Sequence, residues 1–384
     1  MTVYIQHASA VVYKHVIKPL LFRQAPDTVH RRLVYVGKCL QTWRAVRYAL
    51  RLVSYQNSSV LQQKVHGVVF ENPVGLAAGF DKNAELVPMV RSIGFGFGTI
   101  GSITSYYCEG NPRPWFYRLP KSRSLVVNVG LANHGTQTVL QRLYAYPARY
   151  FAKFPVVVSV AKTNSPKACT DELAIEDYVQ SLKKLKRQLR VSIIELNISC
   201  PNAYGGEPFT DPERLEKILR ATDELKLKKP LWIKMPINLP WPKFRALLKV
   251  IVEHDVQGVT IGNLNKDRVT TELADDLPDK VRGNLSGKPT QELSDELIGK
   301  TYKAFGNRLV IVGVGGVFTA EDAYRKIALG ASLVELITGL IFEGPQLVGE
   351  INRGLVTLLQ KDGFATVREA IGSAHHNKKE PPRR

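Results

Sequence analysis

IIELNISCPNAYGGEPFTDPERLEKILRATDELK, residues 193–226, contains one complete unit of the fold. IIELNI is a short apolar, β-branched run bounded by polar residues, the pattern of a buried strand. DPERLEKILRATDELK reads as a helical candidate. Between them the chain places Asn197, Cys200 and Asn202, then a glycine pair, where the strand ends.

Working outward from this unit, similar strands recur from residue 65 onward. They are VGLAAG (74–79), FGTIGSI (97–103), VVVSV (156–160), LWIKM (231–235), GVTIG (258–262), LVIVGVGG (309–316) and LVELITG (333–339). With IIELNI (193–198) they number eight, and helical stretches such as TAEDAYRKIALG lie between most of them. Eight strands alternating with helices predict an α/β fold, a (β/α)8 TIM barrel. A doubly wound open sheet is the alternative, but no GxGxxG follows the first strand. The main irregularity, CEGNPRPWFYRLPKSRSLVVNVG, reads as a hairpin inserted between strands two and three.

The polar residues of these units fall in register. Lys82 follows strand one, Ser102 ends strand two, Ser159 strand three and Asn197 strand four. Lys234 lies in strand five, Asn263 after strand six, Gly315 and Gly316 after strand seven, and Thr338 after strand eight. All sit at or near carboxyl ends, the face on which such barrels carry their sites. Any one has a bland reading, such as an exposed lysine or an asparagine closing a turn; eight together predict a shared site. GVGG (313–316) and TG (338–339) offer unobstructed backbone N–H groups and a hydroxyl, which suit a phosphate. Lys82 and Lys234 can stabilise an anion that develops nearer the barrel axis.

The chain has 384 residues, of which 44% are hydrophobic, enough for one barrel plus an extension. No apolar run approaches the ~18 residues of a membrane-spanning helix. The N-terminus lacks the pattern of a cleaved signal peptide. Four scattered cysteines, without CxxC or histidines at ligand spacing, fit a reducing compartment and predict no metal site.

The formal net charge of +19 is unusual, and residues 1–60 hold nine basic side chains against one acid, Asp27. This segment also has helical periodicity, with Val12, Val16 and Leu20 in one stripe and Val29, Leu33, Val36 and Leu40 in a second. Asp27 is placed to cap the second helix. Two basic amphipathic helices can lie on an anionic membrane surface. The plainer alternative is a helical pair packed on the barrel with its charges solvated. The expected division is therefore an N-terminal helical segment (1–62), a barrel (63–365) and a basic, partly disordered tail (366–384).

GLAAGFDKNAE (75–85), EGNPRPWFYRLP (109–120), NISCPN (197–202), GNLSGKP (283–289) and IVGVGGVFTAEDA (311–323) resemble dihydroorotate dehydrogenases over almost the whole chain. LSGKP, GVGGV, ITGLIFEGP and FRQAPDTVHRRL most resemble the membrane-associated, quinone-using class 2. The resemblance implies a flavoprotein oxidoreductase of pyrimidine biosynthesis that holds FMN and oxidises dihydroorotate to orotate. It places FMN against Ala78, Gly79, Lys82, Ser102, Ser159, Asn197, Lys234, Gly287, Gly315, Gly316, Ile337 and Thr338. Substrate would meet Lys82, Asn128, Asn197, Asn202 and Asn263, and quinone His30 and Arg118. Cys200 takes the position of the general base, with Lys82 and Lys234 beside the reacting groups. Class 2 enzymes resemble this loop but carry serine there, whereas class 1 enzymes carry cysteine. A free thiol near pKa 8.5 is an easier base at neutral pH than a serine hydroxyl.

Two departures stand out. Where the family places a substrate-binding asparagine three residues before Gly130, this chain has Val127, and Asn128 follows one residue later. Leu264 replaces a threonine after strand six. Class 1B enzymes with a partner subunit and NAD as acceptor, dihydropyrimidine dehydrogenases and tRNA dihydrouridine synthases also resemble this pattern. A flavin-binding membrane module without turnover is the non-enzyme alternative. No appended RNA-binding domain is visible, and nucleic acid is not expected as a partner. The expected location is peripheral, on the cytoplasmic side of an inner cell membrane. A mitochondrial membrane is less favoured, since no Arg- and Ser-rich presequence precedes the helices.

Overall fold

The structure, a computed structural model, describes residues 2–55 and 58–375. Eight parallel strands close into a barrel: β1 Val74–Leu76, β2 Phe97–Ile103, β3 Val156–Val160, β4 Ile193–Asn197, β5 Leu231–Met235, β6 Gly258–Ile261, β7 Val310–Val314 and β8 Leu333–Leu336. Each pairs with its sequence neighbours, and β8 closes on β1 through Glu335 opposite Gly75. This is the expected (β/α)8 TIM barrel. Its helices start where the side chains dictate. Asp211 accepts from the N–H groups of Glu213 and Arg214, both at 3.1 Å, and Pro212 occupies the first turn of the helix Pro212–Glu224. Thr319 caps the helix Ala320–Ala328 in the same way.

The amino-terminal end of the barrel is plugged. A hairpin, Gln63–Val65 with Val68–Phe70, lies outside the eight strands and brings Val65 and Phe70 against Phe97, Val157, Ile193, Trp232, Val312 and Leu333. Phe70 meets Phe97 edge to face at 5.3 Å. Phe97 in turn requires Gly75, since a Cβ there would stand 2.2 Å from its ring. Phe70 is fully buried. Phe70→Ala is expected to cost about 3–5 kcal/mol, read as a lower midpoint in denaturant unfolding with an unchanged slope.

Immediately above this apolar floor the interior turns polar. Thr99 on β2, Glu195 on β4, Thr260 on β6 and Glu335 on β8 form one layer contributed by alternate strands. Thr260 Oγ1 donates to Glu195 Oε2 at 2.6 Å, and Thr99 Oγ1 donates to Glu335 Oε1. Each bond spans an intervening strand, so these side chains point into the barrel.

The inserted segment forms the expected hairpin, Phe116–Leu119 antiparallel to Ser124–Val127, and Asn284–Leu285 adds a third strand. The N-terminal segment holds more helix than the two stretches read from the sequence. It runs as helix from Thr2 to Phe22 through a π-turn at Tyr13–Ile17, then Pro26–Leu40, then Arg44–Ser54. Asp27 is not the cap of the second helix. Ala25 holds that place, and the Asp27 carboxylate accepts instead from the N–H groups of Trp115 and Phe116 and from Arg113. It therefore ties the extension to the hairpin. Arg118 does the same, donating to Gln24 O at 2.6 Å.

The expected stripe Val12, Val16 and Leu20 faces outward, each about half exposed. At the other end, residues 366–375 do not hang free, because Val367 and Ala370 are fully buried. Residues 376–384 of the expected tail lie outside the described residues.

Candidate active site

The carboxyl ends of the strands open into a cavity whose walls carry most of the side chains singled out in the sequence. β1 and the turn after it supply Ala78, Gly79 and Lys82; β2 supplies Ser102; β4 and its loop supply Asn197, Cys200 and Asn202. Lys234 from β5, Asn263 after β6, and Ile337 and Thr338 after β8 complete this wall. At one end, Gly287, Gly315 and Gly316 form a backbone cradle. Gly316 has φ +67°, and a Cβ there would stand 2.4 Å from that of Gln291, so the position excludes a side chain. Ser286 and Thr338 place their hydroxyls 3.0 Å apart at the same end.

Hydrogen bonds order the wall. Ser159 is fully buried and reaches the cavity only through Ser102, their hydroxyls 2.8 Å apart; Asn197 Nδ2 donates to Ser102 Oγ at 2.8 Å. Tyr178 OH donates to Asn197 O at 2.7 Å, fixing the strand end. Asn263 Nδ2 donates to Ser199 O at 2.6 Å, and Asn202 Nδ2 to Val127 O at 3.0 Å. Asn284 Nδ2 in turn donates to Asn202 Oδ1 at 2.8 Å.

Asn128 departs from its expected position. Val127 lines the cavity, while the Asn128 side chain accepts from Asn111 Nδ2 at 2.9 Å. In an extended strand neighbouring side chains point to opposite faces, so the one-residue offset turns the amide away. The sequence reading overlooked Asn111 and Asn284, although both lie inside quoted motifs. It also overlooked Lys162, buried after β3, whose ammonium donates to Tyr204 O in the Cys200 loop.

Lys82 and Lys234 bring positive charge to the cavity wall. Burial lowers the Lys82 ammonium to about 8, with Arg113 adding to the effect and Asp27 and Asp81 opposing it. Lys82 Nζ lies 5.5 Å from the ring centroids of both Trp115 and Phe116. The accessible surface of Cys200 faces the cavity. Burial pushes its thiol up to about 11, opposed by the Asn202 N–H and the charges of Lys234 and Lys162. The thiol is therefore less acidic than the sequence reading supposed.

The cavity continues into an apolar passage. Pro26, Val29, His30 and Leu33 from the helix Pro26–Leu40 line it, with Phe116 and Arg118 from the hairpin. His30 packs edge-on against Phe80 at 5.6 Å, and burial, Lys82 and Arg113 hold it down to about 3. It is neutral at physiological pH. A glycine cradle with two hydroxyls at one end, buried amides and a lysine in the middle, and an apolar exit form a donor set that fits FMN. Among the described residues no cluster of three or more His, Cys, Asp or Glu is placed to hold a metal ion.

Comparisons with known proteins agree with this geometry. A family model described as Dihydroorotate dehydrogenase matches residues 60–359. Among curated relatives, a dihydroorotate dehydrogenase (quinone) of Nostoc punctiforme is 32% identical, covering 96% of this chain and 100% of its own. One of Haloarcula marismortui is 36% identical, covering 93% and 98%. Among solved structures, the DHODH of Eimeria tenella in complex with ferulenol superposes with a TM-score of 0.77 at 25% identity, covering 92% and 96% of the two chains.

Proposed function

The chain belongs to the dihydroorotate dehydrogenase family, and from that premise we propose how its cavity serves the reaction. It oxidises dihydroorotate to orotate in pyrimidine biosynthesis with a quinone as electron acceptor. The family is flavin-dependent, and we assign FMN to the cavity, with its phosphate at Gly287, Gly315, Gly316 and Thr338. When bound, FMN would supply the acceptor for the hydride from carbon 6 of dihydroorotate and the route for its electrons to the quinone.

The chain's own residues do the rest. Cys200 Sγ takes the proton from carbon 5, and Asn197, Asn202 and Asn263 present amides to the planar ring of the substrate. Lys82 offsets the substrate's negative charge. Lys234, buried in the wall, offsets the negative charge that arrives with the electrons. Lys234→Ala is expected to weaken FMN binding or slow flavin bleaching by about 10-fold or more, checked by FMN titration and rapid mixing with dihydroorotate.

The observation that carries this reading is the continuity of the polar site with the passage lined by His30, Val29 and Leu33. It gives the N-terminal extension a role that a class 1B enzyme would not need. The outward stripe Val12, Val16 and Leu20, on a segment rich in lysine and arginine, supports peripheral attachment to an anionic membrane. No helix among the described residues is long and apolar enough to cross one. The test is dihydroorotate oxidation by the full-length protein in detergent, with a soluble quinone in one cuvette and NAD in another. Turnover with quinone alone is expected; NAD reduction that needs a second protein would favour a class 1B-like enzyme instead.

A further inference from the structure

The polar layer beneath the cavity has a feature that the reaction above does not use. Glu195 and Glu335 are each 1% exposed and each has only one hydrogen-bonded oxygen. Glu195 Oε1 and Glu335 Oε2 are buried without a partner. Lys234 Cα pairs with Thr260 of the same layer and with Asn197, and Lys234 and Glu335 line the same end of the cavity. Two buried carboxylates beside a single ammonium cannot both remain ionised without a large desolvation and repulsion cost.

We propose that the buried Glu335 holds a proton and acts, with Lys234, as a positioning residue that sets the charge at the flavin site. The inference rests on the assignment of FMN to this cavity. The charged groups facing Glu335 are Glu195 from β4 and Lys234 from β5. Thr99 from β2 is its neutral partner, and the flanking strands place Gly75 and Val314 opposite it. Burial first, then Glu195, push the Glu335 carboxyl up from the ordinary carboxylate range, and Lys234 and Thr99 pull it back only in part. Glu335 therefore carries the proton.

With the proton in place, one carboxylate balances Lys234 and the group is neutral. Once the proton leaves, the group has net charge −1 and opposes the electrons entering from dihydroorotate. Reduction of the flavin therefore strengthens the hold on the proton. Over the titration of Glu335, part of a proton is taken up from solvent for each pair of electrons, beyond what the flavin itself binds. The midpoint potential must then fall more steeply with pH in that window than on either side of it.

The experiment is a dye-equilibrated titration of the holoenzyme's flavin potential across the neutral and alkaline range. For this two-electron couple, a tenfold change in the relative binding of the two redox states reads as about 30 mV. The wild-type curve is expected to show an extra inflection that Glu335→Gln removes. Thr99→Val keeps the carboxyl but deletes the bond that favours its ionised form, and should move the inflection to higher pH. Superimposable curves for all three proteins would overturn the role of the Glu335 proton while leaving FMN in place. A protein that binds no flavin would overturn the cofactor assignment and the inference with it.

Discussion

Cys200→Ala should slow flavin reduction by dihydroorotate about 10²–10⁴-fold, the usual worth of a positioned base, while FMN stays bound. Cys200 lies in the loop after β4, between Asn197 and Asn202, with its surface turned into the cavity. Burial is the main reason its thiol stands at about 11, so only a small fraction is thiolate at neutral pH. That thiolate is a strong base. The sign follows from the active form being the deprotonated one. The bleaching rate should rise about tenfold per pH unit below that value, until another step becomes limiting. Rapid mixing with dihydroorotate across pH checks both points. Wild-type bleaching in the alanine variant would remove Cys200 from the chemistry, and a flat pH profile would place its thiol elsewhere. The lysines that partly offset burial, Lys234 and Lys162, come from β5 and from the loop after β3. Lys162 also holds the loop through Tyr204 O.

The second large effect concerns the outer surface. Val12, Val16 and Leu20 are 49%, 54% and 55% exposed, and none lines the cavity. Replacing all three by glutamate leaves the barrel's packing untouched and removes an apolar stripe from a cationic segment. At roughly 1.5 kcal/mol for each side chain taken out of water, vesicle partitioning should fall on the order of 10³-fold, and the added negative charges deepen the loss. Sedimentation with anionic vesicles reads the change directly. Turnover of a soluble quinone in detergent should persist, because the passage past Val29 and His30 is intact. Undiminished sedimentation would refute the membrane role of this face.

How much of this was legible in the sequence depended on the length of each signal. VVVSV and LWIKM coincide with β3 and β5 because each β-branched or aromatic run is bounded by proline on its N-terminal side. VGLAAG overran β1, because Ala78 and Gly79 leave the strand to line the cavity. The floor hairpin was overlooked since its strands, Gln63–Val65 and Val68–Phe70, are too short to show a period. Asn284–Leu285 becomes a strand only by pairing with Val126 and Val127, a contact made across more than 150 residues. The site was clearer than its surroundings because it is built from strand ends. Even there, Asn128 matched a family residue in type but not in the direction its side chain takes. Glu195 and Glu335 sit inside otherwise apolar strands, IIELNI and LVELITG, where an acid has to find its partner across the barrel.

The plugged floor has a consequence for how such a protein can change over time. None of its eight buried side chains, from Val65 to Leu333, lines the cavity. Endurance and catalysis are thus written in separate parts of one chain. Substitutions that tighten the packing around Phe70 and Trp232 can lengthen the protein's working life at high temperature with no direct contact to the reacting groups. The rim, in turn, can exchange a serine for a cysteine, or a threonine for a leucine, on a base that stays put. A lineage moving to a hotter habitat and one moving to a different quinone would be expected to accumulate their changes at opposite ends of the barrel.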